Sequence, residues 1–115
     1  MEAHGLLNSG DLSGVGTLVA GLDNIFAITG SGAVYGWGSN ANGVLGIGST
    51  TEQNVPITSG FTNVSSFSAG TNFSFACAVN TSGAVYCAGY NVNSELGNNT
   101  SGGTYYSPVG VYGFY

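Results

Sequence analysis

The stretch that decides the fold is Gly-Ser-Gly-Ala-Val-Tyr-Gly-Trp-Gly-Ser-Asn-Ala-Asn-Gly-Val-Leu-Gly, residues 30–46. It recurs in altered form as Thr-Ser-Gly-Ala-Val-Tyr-Cys-Ala-Gly-Tyr-Asn-Val-Asn-Ser-Glu-Leu-Gly, residues 81–97. Each copy begins with a Gly-containing turn, continues as a short apolar run typical of a β-strand, and ends in a loop punctuated by glycine. A segment that is used twice indicates a repeat architecture and by itself says little about chemistry.

The composition around this stretch indicates an all-β protein. The 115 residues include 21 glycines and no lysine or arginine, and 43% of them are hydrophobic. Residues that favour strands and turns dominate, whereas the strong helix formers Lys, Arg and Gln are nearly absent. The apolar content is too high for a chain that stays disordered. We therefore predict a small all-β domain.

The charge balance argues against several classes of partner. With no cationic side chain and a formal net charge of −5, the chain cannot neutralise phosphates by releasing counterions. We therefore expect no nucleic-acid partner and no binding to an anionic membrane surface. No apolar run approaches the roughly 18 residues of a membrane-spanning helix. A weak negative charge with neutral polar cover fits an extracellular surface.

The predicted strands repeat with a period close to 50 residues. Ala20-Gly21 corresponds to Ala69-Gly70, Val34-Tyr35 to Val85-Tyr86, and Pro56 to Pro108. Each unit contains four apolar runs, and the last one holds the proline, which belongs on a sheet edge because it lacks a donor. Four short strands in a repeat of about 50 residues are typical of a β-propeller blade. We predict a leader or docking arm over residues 1–14, a first unit over 15–62 and a second over 63–115.

These units resemble a known repeat. The order Ala-Gly, apolar strand, Ser-Gly-Ala-Val-Tyr-Gly-Trp-Gly-Ser-Asn-x-x-Gly-x-Leu-Gly, then Pro resembles the repeat of the RCC1 (regulator of chromosome condensation) family, over roughly residues 15–112. The second unit departs from the pattern at Ala88, which replaces the tryptophan, and at Ser94-Glu95. The resemblance implies a propeller of about seven blades. The chromatin binding and nucleotide exchange of some members are not carried over, because they depend on charged loops and faces that this chain lacks.

Two units are too few to close a propeller. A blade buries one sheet face against each neighbour, and stable repeat arrays usually need three or more units. We therefore expect chains to associate, either as three or four copies in a ring of about six to eight blades or as an open fibre. The leader and the aromatic tail Tyr112-Gly-Phe-Tyr115 are the expected docking strands. The alternative is that the sequence is a piece of a longer propeller chain.

The two cysteines lie on the two arms of the second predicted hairpin. If its turn is centred on Ser82, Cys77 and Cys87 are directly opposed, because each lies five residues from the centre. Opposed strand residues have Cβ atoms roughly 4.5–5.5 Å apart, close to disulfide reach. We predict a disulfide, which implies an oxidising compartment or an extracellular particle. The alternative is a pair of small buried thiols.

The inventory of reactive side chains argues against an enzyme, a metal site or a cofactor. The single histidine, His4, lies in the leader, and a nucleophile needs a base beside it. No second cysteine pair exists to complete a zinc site. Paired glycosidase carboxylates would have to come from Glu52 and Glu95, which occupy non-equivalent loop positions. The cluster Gly36-Trp37-Gly38 is not a phosphate loop, since no helix is predicted to follow it.

Two classes of function are expected. The first is a non-enzymatic, self-assembling structural protein of an extracellular or virion-associated particle or fibre, favoured by the glycine-rich strands, the absence of catalytic groups, the incomplete number of blades and the predicted disulfide. Repeats of this kind also resemble those of secreted bacterial proteins, inhibitors of bacterial enzymes and bacteriophage particles. The second is an extracellular binding module of adhesin, lectin or protein-inhibitor type, with a protein or glycan surface as partner. Its candidate anchors are aromatic, since aromatics dominate interface energetics: Tyr35, Trp37, Tyr90, Tyr105 and Tyr106. For Tyr35 and Trp37 the alternative role is packing within and between blades.

Overall fold

Two four-stranded antiparallel sheets make up the structure, a computed structural model that describes residues 14–70, 74–92, 94–111 and 113. The first sheet, blade 1, contains β1 (Val15–Ala20), β2 (Asn24–Thr29), β3 (Val34–Gly38) and β4 (Gln53–Thr58) in that order. The second sheet, blade 2, contains β5 (Val64–Ala69), β6 (Phe75–Asn80), β7 (Val85–Tyr90) and β8 (Thr104–Gly110). The predicted all-β, propeller-type fold is confirmed. Residues 1–13 of the predicted leader and three residues of the aromatic tail, Tyr112, Phe114 and Tyr115, lie outside the described residues.

Each blade is a meander in which neighbouring strands are joined by tight turns or by one long loop. In the turn between β2 and β3, the Gly32 N–H donates to the Thr29 carbonyl at 3.0 Å, and Gly32 has a φ of +87°. Gly83 repeats this conformation between β6 and β7, with a φ of +89°. Glycine fits both positions because a side chain is disfavoured at such a φ.

The edge strands of both blades carry features that interrupt regular pairing. The register of β1 shifts between Val15 and Thr17, and that of β5 shifts between Val64 and Ser66. At the opposite edges, β4 contains Pro56 and β8 contains Pro108. The prolines therefore lie on edge strands, as the sequence predicts.

Strand register determines which side chains of blade 1 point towards blade 2. Phe26 lies opposite Gly36, and Ile28 lies opposite Val34, so these four share one face of blade 1. Leu45, from the long loop after β3, covers the same face, because a Cβ on Gly36 would lie 3.0 Å from a Leu45 methyl. Phe26, Val34 and Leu45 are at most 1% exposed. This face is therefore built from large aliphatic and aromatic side chains.

The facing surface of blade 2 is built mainly from small residues. Ala76 lies opposite Ala69 and Ala88, and Ala78 lies opposite Phe67. These residues join the face of blade 1 in a single cluster of buried and partly buried side chains. The large side chains of blade 1 thus pack against short alanine side chains of blade 2, and this allows the two sheets to approach closely.

Three phenylalanines anchor the packing between the blades. The ring of Phe67 lies 4.7 Å from that of Phe26 and 5.1 Å from that of Phe61, centroid to centroid. Both separations fall within the range of favourable aromatic pairs. Phe26 and Phe61 are at most 2% exposed, so the contact is desolvated.

An asparagine clamps the long loop in each blade. The Asn40 carbonyl oxygen accepts from the Leu45 N–H at 2.9 Å, and its amide donates to the Ser49 and Thr51 carbonyls at 2.9 and 3.1 Å. In blade 2, Asn91 accepts from the Leu96 N–H at 2.9 Å in the same way. The clamp holds the leucine side chain against the face of the sheet, and this explains the spacing Asn-x-x-Gly-x-Leu-Gly.

Backbone hydrogen bonds also join the two blades directly. The Val64 N–H donates to the Gly32 carbonyl at 2.9 Å, and the Gly48 N–H donates to the Tyr106 carbonyl at 2.7 Å. A Cβ on Gly32 would lie 2.9 Å from the Val64 nitrogen, closer than real Cβ atoms approach. Gly32 thus serves both the turn and the approach of the next blade.

The Gly32→Ala variant is expected to lower the free energy of unfolding by about 1–3 kcal/mol more than the Gly102→Ala variant. Gly102 has a φ of +90° and nothing within 4 Å of its would-be Cβ, so both variants incur the same backbone strain. Only in the Gly32→Ala variant does the added methyl group also clash with the backbone of Val64. Chemical denaturation measures the difference, and equal losses would contradict the packing between blades described above.

The Asn40→Ala variant is expected to lower the free energy of unfolding by about 2–4 kcal/mol, because it leaves the buried Leu45 N–H without an acceptor and two carbonyls without a donor. Asn42→Ala is the control, since the side chain of Asn42 makes no hydrogen bond to any residue that the structure describes. Denaturation midpoints compare the two variants. A similar, small loss in both would show that the clamp is dispensable.

Candidate functional site

The described residues offer no constellation for metal binding or acid–base chemistry. No group of three or more His, Cys, Asp or Glu residues lies together within the described ranges. The described carboxylates are Asp23, Glu52 and Glu95, and each lies in a turn or loop. The part of the chain that the structure covers also contains no helix long and apolar enough to cross a membrane. The surfaces that stand out are the two sheet faces turned away from the shared core.

The open face of blade 1 is the sheet face turned away from blade 2. Ala20, Ile25 and Trp37 are cross-strand neighbours in one row of this face. Leu18, Ala27 and Tyr35 are cross-strand neighbours in the next row. Leu18 is 66% exposed, and Ile25, Tyr35 and Trp37 are half-buried. We name this surface, residues Leu18, Ala20, Ile25, Tyr35 and Trp37, the Trp37 face.

The open face of blade 2 is the surface turned away from blade 1. Cys77 pairs with Cys87 across β6 and β7, and Val79 pairs with Val85. Val79 is 37% exposed, whereas Cys87 is almost fully buried. Together with Phe75, which precedes Cys77 on the same face, these residues define the disulfide face: Phe75, Cys77, Val79, Val85 and Cys87.

The sulfur atoms of Cys77 and Cys87 are bonded to each other, and their Cα atoms lie 4.1 Å apart. The two residues are direct cross-strand partners, as the sequence predicts. At the 51-residue offset, they correspond to Phe26 and Gly36 of blade 1. The disulfide therefore occupies the place that the Phe26 ring takes in blade 1.

The five aromatic anchors expected from the sequence fall into separate places. Tyr35 and Trp37 lie two residues apart on the Trp37 face, and both are half-buried. The backbone of Tyr106 lies against blade 1, because a Cβ on Gly43 would lie 2.6 Å from the Tyr106 Cα atom and the Tyr106 carbonyl accepts from Gly48, whereas its side chain is 49% exposed. The Tyr105 hydroxyl hydrogen-bonds with the Thr100 hydroxyl at 2.9 Å.

Tyr90 ends β7, where its N–H donates to the Ser74 carbonyl at 2.8 Å. The structure therefore brings only Tyr35 and Trp37 together on one surface. Sequence reasoning did not single out Leu18, Phe75 or Val79 as surface residues. For Leu18 and Val79 the signal is positional, because Leu18 corresponds to Phe67, which packs against the core, and Val79 corresponds to the core residue Ile28.

A groove also runs between the blades. Its walls include Phe61, Val64, Ala78, Tyr86 and Pro108, and no charged side chain lines it. Phe61, Val64 and Ala78 belong to the hydrophobic core, and Tyr86 packs against it. The groove is therefore a seam in the blade packing rather than a polar binding pocket.

Comparisons with known families agree with the repeat pattern. Residues 31–77 match the family model described as "Regulator of chromosome condensation (RCC1) repeat", and residues 17–44 match a second model with the same description. The two matches lie mainly on blade 1 and extend into β6.

Solved structures of propeller proteins superpose well on the chain. The structure of Prp20p from Saccharomyces cerevisiae, described with its binding properties to Gsp1p and histones, has a TM-score of 0.73 at 17% identity over 93% of this chain and 30% of its own. Yeast RCC1 (Prp20) bound to Kap60 has a TM-score of 0.70 at 19% identity over 86% of this chain and 23% of its own. Human WBSCR16 has a TM-score of 0.68 at 22% identity over 88% of this chain and 27% of its own.

At these identities the likeness concerns the fold alone. The chain spans less than a third of the length of each of the three proteins. In a propeller, each blade packs against a neighbour on both faces. The Trp37 face and the disulfide face are the two places where a propeller would place a further blade.

The Cys77→Ala/Cys87→Ala double variant is expected to lower the free energy of unfolding by about 2–3 kcal/mol, the value for a closed loop of this length. The bond closes a loop with a sequence separation of 10 residues. Denaturation of wild type with and without a thiol reductant provides the control, because reduced wild type should approach the variant. Unchanged stability of fully reduced wild type would contradict a stabilising role for the bond.

Proposed function

The chain belongs to the RCC1 repeat family, and we propose that it is a non-enzymatic structural unit of two blades that assembles with further copies of itself. The assembly that we propose is an extracellular or virion-associated particle or fibre. A second copy supplies what each open face lacks, a sheet of matching shape. The chain therefore acts as a building unit, and its function lies in the contacts between copies.

The observation that carries the proposal is the apolar character of both open faces. Leu18 and Val79 are exposed, although the residues at the corresponding positions of the other blade, Phe67 and Ile28, pack in the core between the blades. Full burial of a side chain such as Leu contributes roughly 1.5–3 kcal/mol. Exposed apolar surface of this kind on a sheet marks a site of interaction between proteins.

The disulfide and the charge support the extracellular part of the proposal. Cys77 and Cys87 are bonded, and structural disulfides persist in oxidising environments rather than in the cytosol. The sequence has no lysine or arginine, which leaves it without the means to bind nucleic acid or anionic lipid through phosphates. Mass spectrometry of alkylated protein from its native source tests this part, and free thiols there would contradict it.

A second candidate function is an extracellular binding module, favoured by the pairing of Tyr35 and Trp37 on one surface. Both functions would use the Trp37 face, so they compete for it. Tyr106, an anchor expected from the sequence, contacts blade 1 through its backbone, and its side chain is 49% exposed at a distance in sequence from the Trp37 face. A glycan or protein array probed with the protein at a concentration at which it is monomeric favours the binding module if it shows saturable binding that Trp37→Ala removes.

The Leu18→Asp variant is expected to abolish assembly, whereas the Leu22→Asp variant leaves it intact. Leu18 lies on the Trp37 face, and Leu22 is 45% exposed in the turn between β1 and β2. A carboxylate on the face would have to be desolvated when a second sheet docks. Size-exclusion chromatography with light scattering should give a multiple of 11.5 kDa for wild type and 11.5 kDa for Leu18→Asp.

A wild-type mass of 11.5 kDa across the concentration range would contradict self-assembly. Equal disruption by Leu18→Asp and Leu22→Asp would show that the Trp37 face is not the docking surface. Electron microscopy of the purified protein then distinguishes a closed ring from an open fibre.

A further inference from the structure

The contact between blade 1 and blade 2 provides a template for the contact between copies. Resting on the self-association proposed above, we infer that the disulfide face of one copy docks against the Trp37 face of the next copy, head to tail. The repeat offsets relate each open face to the equivalent face at the contact between blade 1 and blade 2. Residues of β2 and β3 correspond to residues of β6 and β7 at an offset of 51, and residues of β1 correspond to those of β5 at 49.

The docking edge of blade 2 is preformed for a backbone hydrogen bond. Within the chain, the Val64 N–H donates to the Gly32 carbonyl. At the repeat offsets, the corresponding pair is Val15 of the next copy and Gly83. Gly83 has the same turn conformation as Gly32. No atom of the described residues lies within 4 Å of a Cβ built on Gly83, whereas the Val64 nitrogen lies 2.9 Å from one built on Gly32. The Val15 strand of the next copy fills that space.

Each open face differs in side-chain size from the equivalent face at the contact between the blades. The disulfide face has lost an aromatic ring, whereas the Trp37 face carries larger side chains. In place of Phe26 and Gly36, the disulfide face carries Cys77 and Cys87, so the tall aromatic ring is replaced by a flat bridge. A surface that docks here must therefore supply more volume than blade 2 supplies to blade 1.

The Trp37 face supplies that volume. Where blade 2 presents Ala76 and Ala88 to Phe26, blade 1 presents Ile25 and Trp37 at the equivalent positions. The loss of a ring on one face is matched by larger side chains on the other, as close packing requires. Two Trp37 faces, or two disulfide faces, would lack this compensation, and this favours head-to-tail docking over like-with-like pairing.

The outer edge of the proposed contact between copies differs from the corresponding edge of the contact between blade 1 and blade 2. Gly43 fits against Tyr106 within the chain because it has no Cβ. The equivalent pair between copies is Ser94 and Asn54, and Ser94 does carry a Cβ. The loop of blade 2 therefore stands further from β4 of the next copy than the blade 1 loop stands from β8.

The docking of unlike faces has a consequence for assembly. Such joints give a ring when the rotation closes and a fibre when it does not, and they leave no copy with both faces uncovered. The residues at the centre of the joint are Leu18, Ile25 and Trp37 on one copy and Cys77, Val79 and Cys87 on the next.

Two variants, each with a different open face blocked, test whether the disulfide face docks against the Trp37 face. Leu18→Asp blocks the Trp37 face, and Val79→Asp blocks the disulfide face, with Leu22→Asp and Val92→Asp as exposed controls outside both faces. Each blocked variant alone should be a monomer of 11.5 kDa, and an equimolar mixture should give a 1:1 heterodimer that grows no further. Native mass spectrometry, with one variant isotopically labelled, identifies the composition. Circular dichroism of each variant confirms that it is folded.

The outcomes separate this inference from the proposed function. Homodimers of either blocked variant alone would show like-with-like docking, which overturns the inference while self-association stands. Assembly in wild type without a heterodimer in the mixture would also overturn the polarity. A wild-type protein that stays monomeric would overturn the proposed function itself.

Gly83→Ala provides a second measurement that does not depend on an introduced charge. In the Leu18→Asp/Val79→Asp monomer it should cost the same stability as Gly102→Ala, because both glycines have a positive φ and open space around them. In the otherwise wild-type assembly it should weaken association roughly tenfold or more, because the added methyl meets Val15 of the next copy. Unchanged association would overturn the assigned contact.

Discussion

The structure depends on the packing of one sheet face against another, with large side chains on one sheet opposite alanines on the next. The Phe26 ring stands over Gly36 and meets the face of Ala76 and Ala88, and Phe67 completes the contact. Loop residues such as Leu45 and Phe61 extend this packing, and a few backbone hydrogen bonds join the blades at their edges. Because a blade of this kind has two apolar faces, each blade also has one apolar face turned away from this contact.

Much of this arrangement follows from the sequence. The spacing of Asn40, Gly43 and Leu45 predicts a clamped loop, and the structure shows the hydrogen bonds that clamp it. Symmetry about Ser82 predicts opposed cysteines, and the register places them opposite each other. These features are local, so short stretches of sequence specify them.

The exposed members of the open faces were harder to predict. Which face a residue joins depends on the register, and a shift such as the one between Val15 and Thr17 changes it for the rest of β1. The roles of Leu18 and Val79 therefore become clear only when each is compared with its equivalent in the other blade.

The prolines of the outer strands have a consequence for how the protein avoids disordered aggregation. The eight strands contain no charged residue, and uncharged strands are prone to lateral, amyloid-like pairing through their unpaired backbone groups. Pro56 in β4 and Pro108 in β8 remove a donor from each exposed ladder, and the irregular register of β1 and β5 distorts the other two. Lateral pairing is thus obstructed at all four edge strands by features of the backbone, in sheets whose strands carry no charge that could repel another edge.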